Sequence, residues 1–396
     1  MAAHPQKNIA SSYTTLMVIC CGSVFACYFA SFMRFPVVPL YARSLGITTS
    51  QIGIINSTFF LVAGTLSLPL GIVSDRVGCK KMAGCGLLLL ACASILICFC
   101  ETFIQLAGVY FCLGIGVAAF GPTMMSFVAA ISPSTHLGRS YGWYTLALFC
   151  GTSLGPAVGG IITQSYGFLC VFIISGSFFF LNLIMFFFLF PSDKKPHHTG
   201  PEKEPVSANV RELFRNRPML ACWLAALGGC FGMGMFMTFI PLHALNQGLN
   251  AAHIGLVFFF QGASNALSRI PFGYLSDRVK HRHYLVMIGL VGFALSIGGF
   301  GISANLSYFT VFATILGFSM GLAFTSVGAL IAEAVPPKSR GLAMGGYNTC
   351  IYLGMMLSSS VMGSIIQMIG FAGSFFICAG IILALIPMFA ITIYNQ

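Results

Sequence analysis

Long apolar runs divided by short polar breaks follow one another along the whole chain. About twelve of them reach roughly 20 residues, enough at 1.5 Å per residue to cross roughly 30 Å of hydrocarbon. The predicted spans are 13–41, 51–73, 82–100, 104–130, 141–163 and 168–190, then 218–245, 253–274, 284–303, 307–332, 341–366 and 372–394. Each must be a helix, because in lipid only helices and closed barrels satisfy their own backbones, and barrel strands would alternate polar and apolar residues. The longest polar break carries several prolines and a large share of the charges, which is the composition of a solvated linker. Within it, 207–216 reads as a short amphipathic helix on the membrane surface. The expected architecture is an all-α membrane protein of two six-helix bundles, 1–190 and 218–396, joined by a cytoplasmic linker over 191–217.

Composition agrees with the pattern. Mean hydropathy is +0.92, and only 7% of residues are charged, against about a quarter in soluble domains. Sixteen of the 19 basic residues fall in the breaks on one side, leaving only Arg34, Arg43 and Arg269 elsewhere. An excess of Lys and Arg marks the cytoplasmic side, so both termini are expected in the cytoplasm. The net charge of +11 is thereby accounted for by loops and calls for no nucleic acid. The fifteen cysteines sit mostly inside spans and form no paired C-x-x-C, so neither a metal site nor a disulfide framework is expected. The polar start of the chain runs straight into a full-length span, which reads as an uncleaved first helix.

One polar break has a particular composition. Gly71 to Lys81, GIVSDRVGCKK, gathers Asp75, Arg76, Lys80 and Lys81 between two spans and reads as a short loop in water. It returns as GYLSDRVKHR, in which Gly273, Ser276, Asp277 and Arg278 repeat Gly71, Ser74, Asp75 and Arg76 at an offset of 202 residues. Pro39-Leu40, Gly46 and Ile52-Gly53 recur at the same offset as Pro241-Leu242, Gly248 and Ile254-Gly255. Farther on, Arg139 recurs as Arg340 and Gly151 as Gly354. A repeat of this size points to a transporter whose substrate site lies between two related bundles near the midplane.

With these residues the chain resembles the major facilitator superfamily. The family's loop motif, roughly G-x-x-x-D-R-x-G-R-[KR], is matched at Gly71, Asp75, Arg76, Gly78 and Lys80, while Cys79 stands where Arg is usual. The resemblance implies a secondary transporter in which the carboxylate of this motif secures the cytoplasmic ends of the bundles against the start of the eleventh span, near Arg340. Gly71, Asp75, Arg76, Gly273, Asp277, Arg278, Arg269 and Arg340 are therefore expected to gate; the alternative is a merely topogenic positive loop. Asp75→Asn is expected to reduce transport while leaving surface expression intact, read as rates in vesicles. The fifth span carries GTSLGPAVGG, in which Gly151, Gly155 and Gly159 share one face and Pro156 bends the helix. It resembles the antiporter motif of drug exporters, and its stripe suits close packing against the other bundle or ordinary small-residue packing. The fourth span departs from that group, with Tyr110 where an Arg is usual. None of the eight acids lies clearly mid-membrane.

An Arg does lie in the membrane. Arg34, in the outer half of the first span with Tyr28 and Ser31 on nearby turns, either holds an anionic group of the substrate or snorkels outward or bonds a carbonyl freed by Pro36 or Pro39. Gln261, Asn265 and Arg269, spaced by four, form a polar stripe on the eighth span. Tyr347, Asn348 and Tyr352 on the eleventh could offer hydrogen bonds. His243, equivalent to Tyr41, is either a titrating residue or a solvated or packed one at the outer rim. No P-loop and no mid-membrane nucleophile with a paired base is present, so neither an ATPase nor an enzyme is expected, and no cofactor. The expected function is export of a small amphipathic or anionic compound by antiport, with a proton or sodium as coupling ion, in the plasma membrane (the inner membrane of a bacterium), by a monomer. The alternatives are uptake of an anionic metabolite by symport and a non-transporting membrane sensor or assembly factor.

Overall fold

The computed structural model describes residues 13–133, 136–190, 216–336 and 340–394. The linker, including nearly all of the stretch 207–216, and the side chains of Asp75 and Arg340 lie outside the described residues. The first bundle contains α1 (Tyr13–Arg34), α2 (Val37–Ser44), α3 (Thr49–Val77), α4 (Cys79–Leu96), α5 (Phe103–Ile131), α6 (Leu137–Tyr166) and α7 (Phe168–Leu189). The second contains α8 (Arg217–Asn246), α9 (Ala251–Arg278), α10 (Arg282–Gly301), α11 (Leu306–Ala334) and the stretch Arg340–Tyr394. Gly370, at φ 78 and ψ 175, breaks that stretch into α12 (340–369) and α13 (371–394).

Among the described residues ten helical stretches are long and apolar enough to cross a membrane, with Leu342–Ile393 counted as one. Its break makes it two. α9 falls below that hydropathy because Gln261, Ser264, Asn265, Ser268 and Arg269 lie on it, although its 28 residues are ample. With α1 and α2 as one crossing, the described residues make twelve.

Two expectations are corrected. The first span is not one helix: it ends at Arg34 and resumes at Val37, because Pro36 has no N–H to continue the ladder. Gly71 to Lys81 is not a loop. Helix runs to Val77 and starts again at Cys79, and Gly78 alone turns the chain, at φ 102. Lys280 holds the equivalent position in the second copy, where a side chain disfavours that φ. There the connection takes three residues, Val279 to His281.

One face of the molecule carries the described ends of the chain, and hydrogen bonds fasten its helix ends. Lys80 Nζ donates to Phe190 O at 2.6 Å, Asn216 Nδ2 donates to Ala334 O at 2.8 Å, and the hydroxyls of Tyr13 and Ser140 lie 2.6 Å apart. We call this the terminal face and its opposite the distal face. At the distal face the repeat is visible in single bonds. Tyr41 donates its hydroxyl to Cys100 O at 2.9 Å, and His243 Nε2 lies 2.9 Å from Phe300 O. His243 is thus a packed residue, 3% exposed and stacked on Phe371.

The repeat also governs packing inside each bundle. A Cβ on Gly151 of α6 would stand 2.8 Å from Phe25 O of α1; one on Gly354 of α12 would strike Leu227 O of α8, 202 residues from Phe25. Between bundles, α3 runs along α12 and α6 along α9. These two seams position the site.

Candidate functional site

Toward the distal face the seams close on backbone. A Cβ on Gly53 of α3 would overlap the carbonyl oxygen of Ser359 and stand 3.1 Å from Phe239 Cζ, and one on Gly363 would lie 2.9 Å from Ser50 Cα. The hydroxyls of Ser50 and Ser364 are 3.0 Å apart across this seam. In the other seam, a Cβ on Gly255 of α9 would overlap Pro156 O and lie 3.1 Å from Ala157 Cα, while one on Gly160 would lie 3.1 Å from Gly255 Cα. Gly53 and Gly255 are partners in the repeat, and so are Ser359 and Pro156. The distal face is therefore shut twice by the same contact. Contact continues to mid-depth, where a Cβ on Gly64 would meet Tyr352 Cβ at 2.7 Å and one on Gly262 would meet Ser153 Cα at 3.0 Å.

Toward the terminal face the bundles separate. A Cβ on Gly142 of α6 or Gly345 of α12 would meet nothing within 4 Å. A groove of about 780 Å³ opens between α6 and α9. The structure is closed distally and open terminally.

Of the two readings of the α6 glycine stripe, ordinary small-residue packing within its own bundle is the one seen. Gly151, Gly155 and Gly159 pack on α1 of their own bundle at Phe25, Phe29 and Met33. The neighbouring stripe, Ser153, Pro156 and Gly160, faces the other bundle.

The polar candidates form separate groups. Arg34 is 2% exposed, so it does not snorkel. Its guanidinium lies 5.9 Å from the Phe179 ring and near Tyr110, and its Nε has no hydrogen-bond partner. The Tyr110 hydroxyl is likewise unpartnered. Among the described residues no hydrogen bond joins Arg34 to a carbonyl near Pro36 or Pro39. Nearer the terminal face, Tyr28 of α1 and Tyr144 of α6 both bring their hydroxyls to Gly121, close to Tyr352 of α12, so this cluster spans both bundles. Tyr144, which the sequence reading passed over, donates to Gly121 O at 3.4 Å. Its signal was its place seven residues before Gly151, two turns down the side of α6 that faces α1.

Gln261 and Asn265 are both buried, and each directs its amide nitrogen to Met320 Sδ at 3.6 Å. Asn265 Oδ1 has no partner. Arg269, one turn on, lies 4.2 Å over the ring of Phe149 in the other bundle and near Tyr347. Asn348 is exposed and joins none of these groups.

At the terminal face, Arg282 bridges two carboxylates, Glu333 at 2.9 Å and Asp277 at 3.3 Å. Both partners belong to the second bundle, so Asp277 does not cross to the first in this state. Gly71 and Gly273 make no close approach to another helix: a Cβ there would stand 3.8 Å from Pro122 and 3.9 Å from Thr325, ordinary contacts within each bundle. Arg76 and Arg278 are exposed. Because the Asp277 and Glu333 side chains are 74% and 59% exposed, Arg282→Ala should cost at most about 1 kcal/mol of stability. Thermal unfolding in detergent at low and high salt would check this; a larger, salt-insensitive loss would contradict it.

The sequence profile described as Major Facilitator Superfamily matches residues 20–260 and 244–395. An uncharacterised transporter of this type from Methanocaldococcus jannaschii is 26% identical over 345 residues, 86% of this chain and 88% of that protein. The staphylopine export protein of Staphylococcus aureus is 23% identical, covering 89% of each chain. The multi-drug resistance efflux pump PmrA of Streptococcus pneumoniae is 23% identical, covering 86% of each. Among solved structures, a nucleoside transporter superposes with a TM-score of 0.81 at 14% identity, covering 95% of this chain and 99% of that one.

Proposed function

Since the chain belongs to the Major Facilitator Superfamily of transporters, we propose that it is a secondary transporter exporting a small amphipathic or anionic organic compound by antiport through alternating access. The observation that carries this reading is the paired seam, sealed distally by Gly53 and Gly255 against backbone and open terminally. A barrier made of interchangeable contacts between two rigid bundles can be exchanged for a barrier at the other end. In this reading the terminal face is cytoplasmic, as its basic residues imply, and the membrane is the plasma membrane. Asp75 and Arg340 contribute to the opposite barrier. Tyr28, Gln261, Asn265, Tyr347 and Tyr352 face the compound, and Arg34 holds an anionic group on it. A proton or sodium gradient drives exchange.

Export is favoured by the named activities of two relatives and by the glycine-proline pattern of α6. Uptake by symport is the second reading, favoured by Arg34, a buried cation whose Nε has no partner and which suits an anionic metabolite. Proteoliposomes given a panel of anionic and cationic compounds under proton and sodium gradients test both. Exchange driven by an opposing gradient is expected, co-directional flow would establish uptake, and no movement under any gradient would overturn transport.

A further inference from the structure

The groove between α6 and α9 holds two arginines and no acid. Arg139, Trp143 and Leu146 line it from one bundle, and Arg269, Ile270 and Tyr274 from the other. No carboxylate is among the described lining residues. Phe149 lines the groove as well, with the Arg269 guanidinium 4.2 Å over its ring. Arg139 lies in the first turn of α6, at the terminal face, and Arg269 lies nine residues before the end of α9, roughly 13 Å deeper along the helix. The groove thus descends from the head-group level into one leaflet.

Its outer walls suit that environment. Ile270 is 72% and Tyr274 68% exposed, and Trp143 52%. Trp and Tyr at this depth are amphipathic anchors at a membrane interface, while Leu146 and Ile270 offer apolar surface to hydrocarbon. A ligand here has an anionic head, set between two arginines, and an apolar tail against Leu146 and Ile270. We propose that this groove is a binding site for an anionic phospholipid of the terminal-face leaflet. The phosphate lies between Arg139 and Arg269, and the acyl chains run outward along Ile270. Basic clefts between transmembrane helices bind anionic head groups in this way, and Arg269 keeps its cation–π contact with Phe149 meanwhile. The inference does not depend on what is transported.

Trp143 is one of only two tryptophans in the chain, so Trp223→Phe makes it a single reporter inside the groove. The full chain in vesicles containing phosphatidylglycerol or phosphatidylcholine with brominated acyl chains, at equal mole fraction, reads the site by quenching. Two arginines, each worth roughly 1 kcal/mol near a charged surface, set the expected preference for phosphatidylglycerol at about thirtyfold. Arg139→Gln or Arg269→Gln should each reduce it about fivefold. Glycerol phosphate in the buffer should not displace the quencher; displacement would assign the site to a soluble anion and overturn the proposal. Equal quenching by both lipids, or a preference unchanged in the double variant, would also overturn it. If Trp223→Phe fails to fold, retention of phosphatidylglycerol over phosphatidylcholine by the wild-type chain through delipidation, set against Arg139→Gln, decides the same question.

Discussion

Replacing Gly53 or Gly255 with leucine is expected to slow transport tenfold to a hundredfold and to leave the distal face open. In both seams the added side chain meets a backbone carbonyl, at Ser359 or at Pro156. Backbone inside a helix cannot rotate away as a side chain would, so the clash is relieved chiefly by parting the bundles. Overpacking of this kind costs about 1–3 kcal/mol, and each 1.4 kcal/mol shifts a two-state equilibrium roughly tenfold. Because the penalty falls on one conformation, the substitution acts on the balance between states more than on folding. The readout is therefore double: low turnover in proteoliposomes, and cysteines near the distal rim that become more reactive to water-soluble reagents. Gly46→Ala is a useful contrast. It lies at the distal face but outside the seams, with nothing within 4 Å of its position, so its effect is limited to the strain of φ +78 and should leave that reactivity unchanged. Normal turnover in both leucine variants would remove the seam from the mechanism.

Arg34→Met is expected to abolish binding of an anionic substrate while stabilising the protein. A buried cation with no carboxylate partner among the described residues carries a desolvation cost that an anionic ligand offsets. Methionine fills similar volume without charge, so apparent stability should rise by about 1–3 kcal/mol, the usual exchange between stability and function at a binding site. A structural role predicts the reverse, because removing a cation that organises Tyr110 and Phe179 would lower stability and leave any affinity intact. Thermal unfolding and ligand binding on one preparation separate the two. Lysine at this position keeps the charge but lacks the guanidinium fork, and should restore affinity only in part.

Which parts of the molecule were legible in the chain follows from what each feature needs. Crossings need only length and hydropathy, so the spans are visible to within a few residues, and Gly370 falls in the short gap read between the last two. α9 is visible as a span although it is the most polar, because the apolar run 254–260 opens it and further apolar residues separate its polar positions. Pro36 announced itself as a proline, yet that it would split the first span depends on packing that a run of apolar residues does not encode. The Gly71 to Lys81 cluster was read as water-exposed loop because its charges are dense, but charges on the end of a helix that projects past hydrocarbon look the same. Only the φ of Gly78 distinguishes an elbow from a loop.

The seams were harder. Gly151, Gly155 and Gly159 announce themselves by regular spacing, whereas Ser153, Pro156 and Gly160 do not, and both stripes run along the same helix. Periodicity finds a small-residue face but cannot say which neighbour it meets. Tyr144, Phe149 and Met320 were missed for a related reason: aromatic and sulfur side chains give no polar contrast in an apolar helix. Arg34 and Arg269 were conspicuous because membranes rarely hold such residues. Their partners, Tyr110, Phe179 and Phe149, emerge only from the fold.

A reversible link across the distal seam tests the central claim most directly. Ser50 and Ser364 have hydroxyls 3.0 Å apart in opposite bundles, close enough for cysteines there to form a disulfide. In a background cleared of exposed cysteines, Ser50→Cys with Ser364→Cys should crosslink spontaneously and lose transport when oxidised, then recover it on reduction. Each single variant should be unaffected by oxidant. A crosslinked protein that transports as fast as its reduced form would show that the distal seam never opens, and would contradict alternating access by these two bundles.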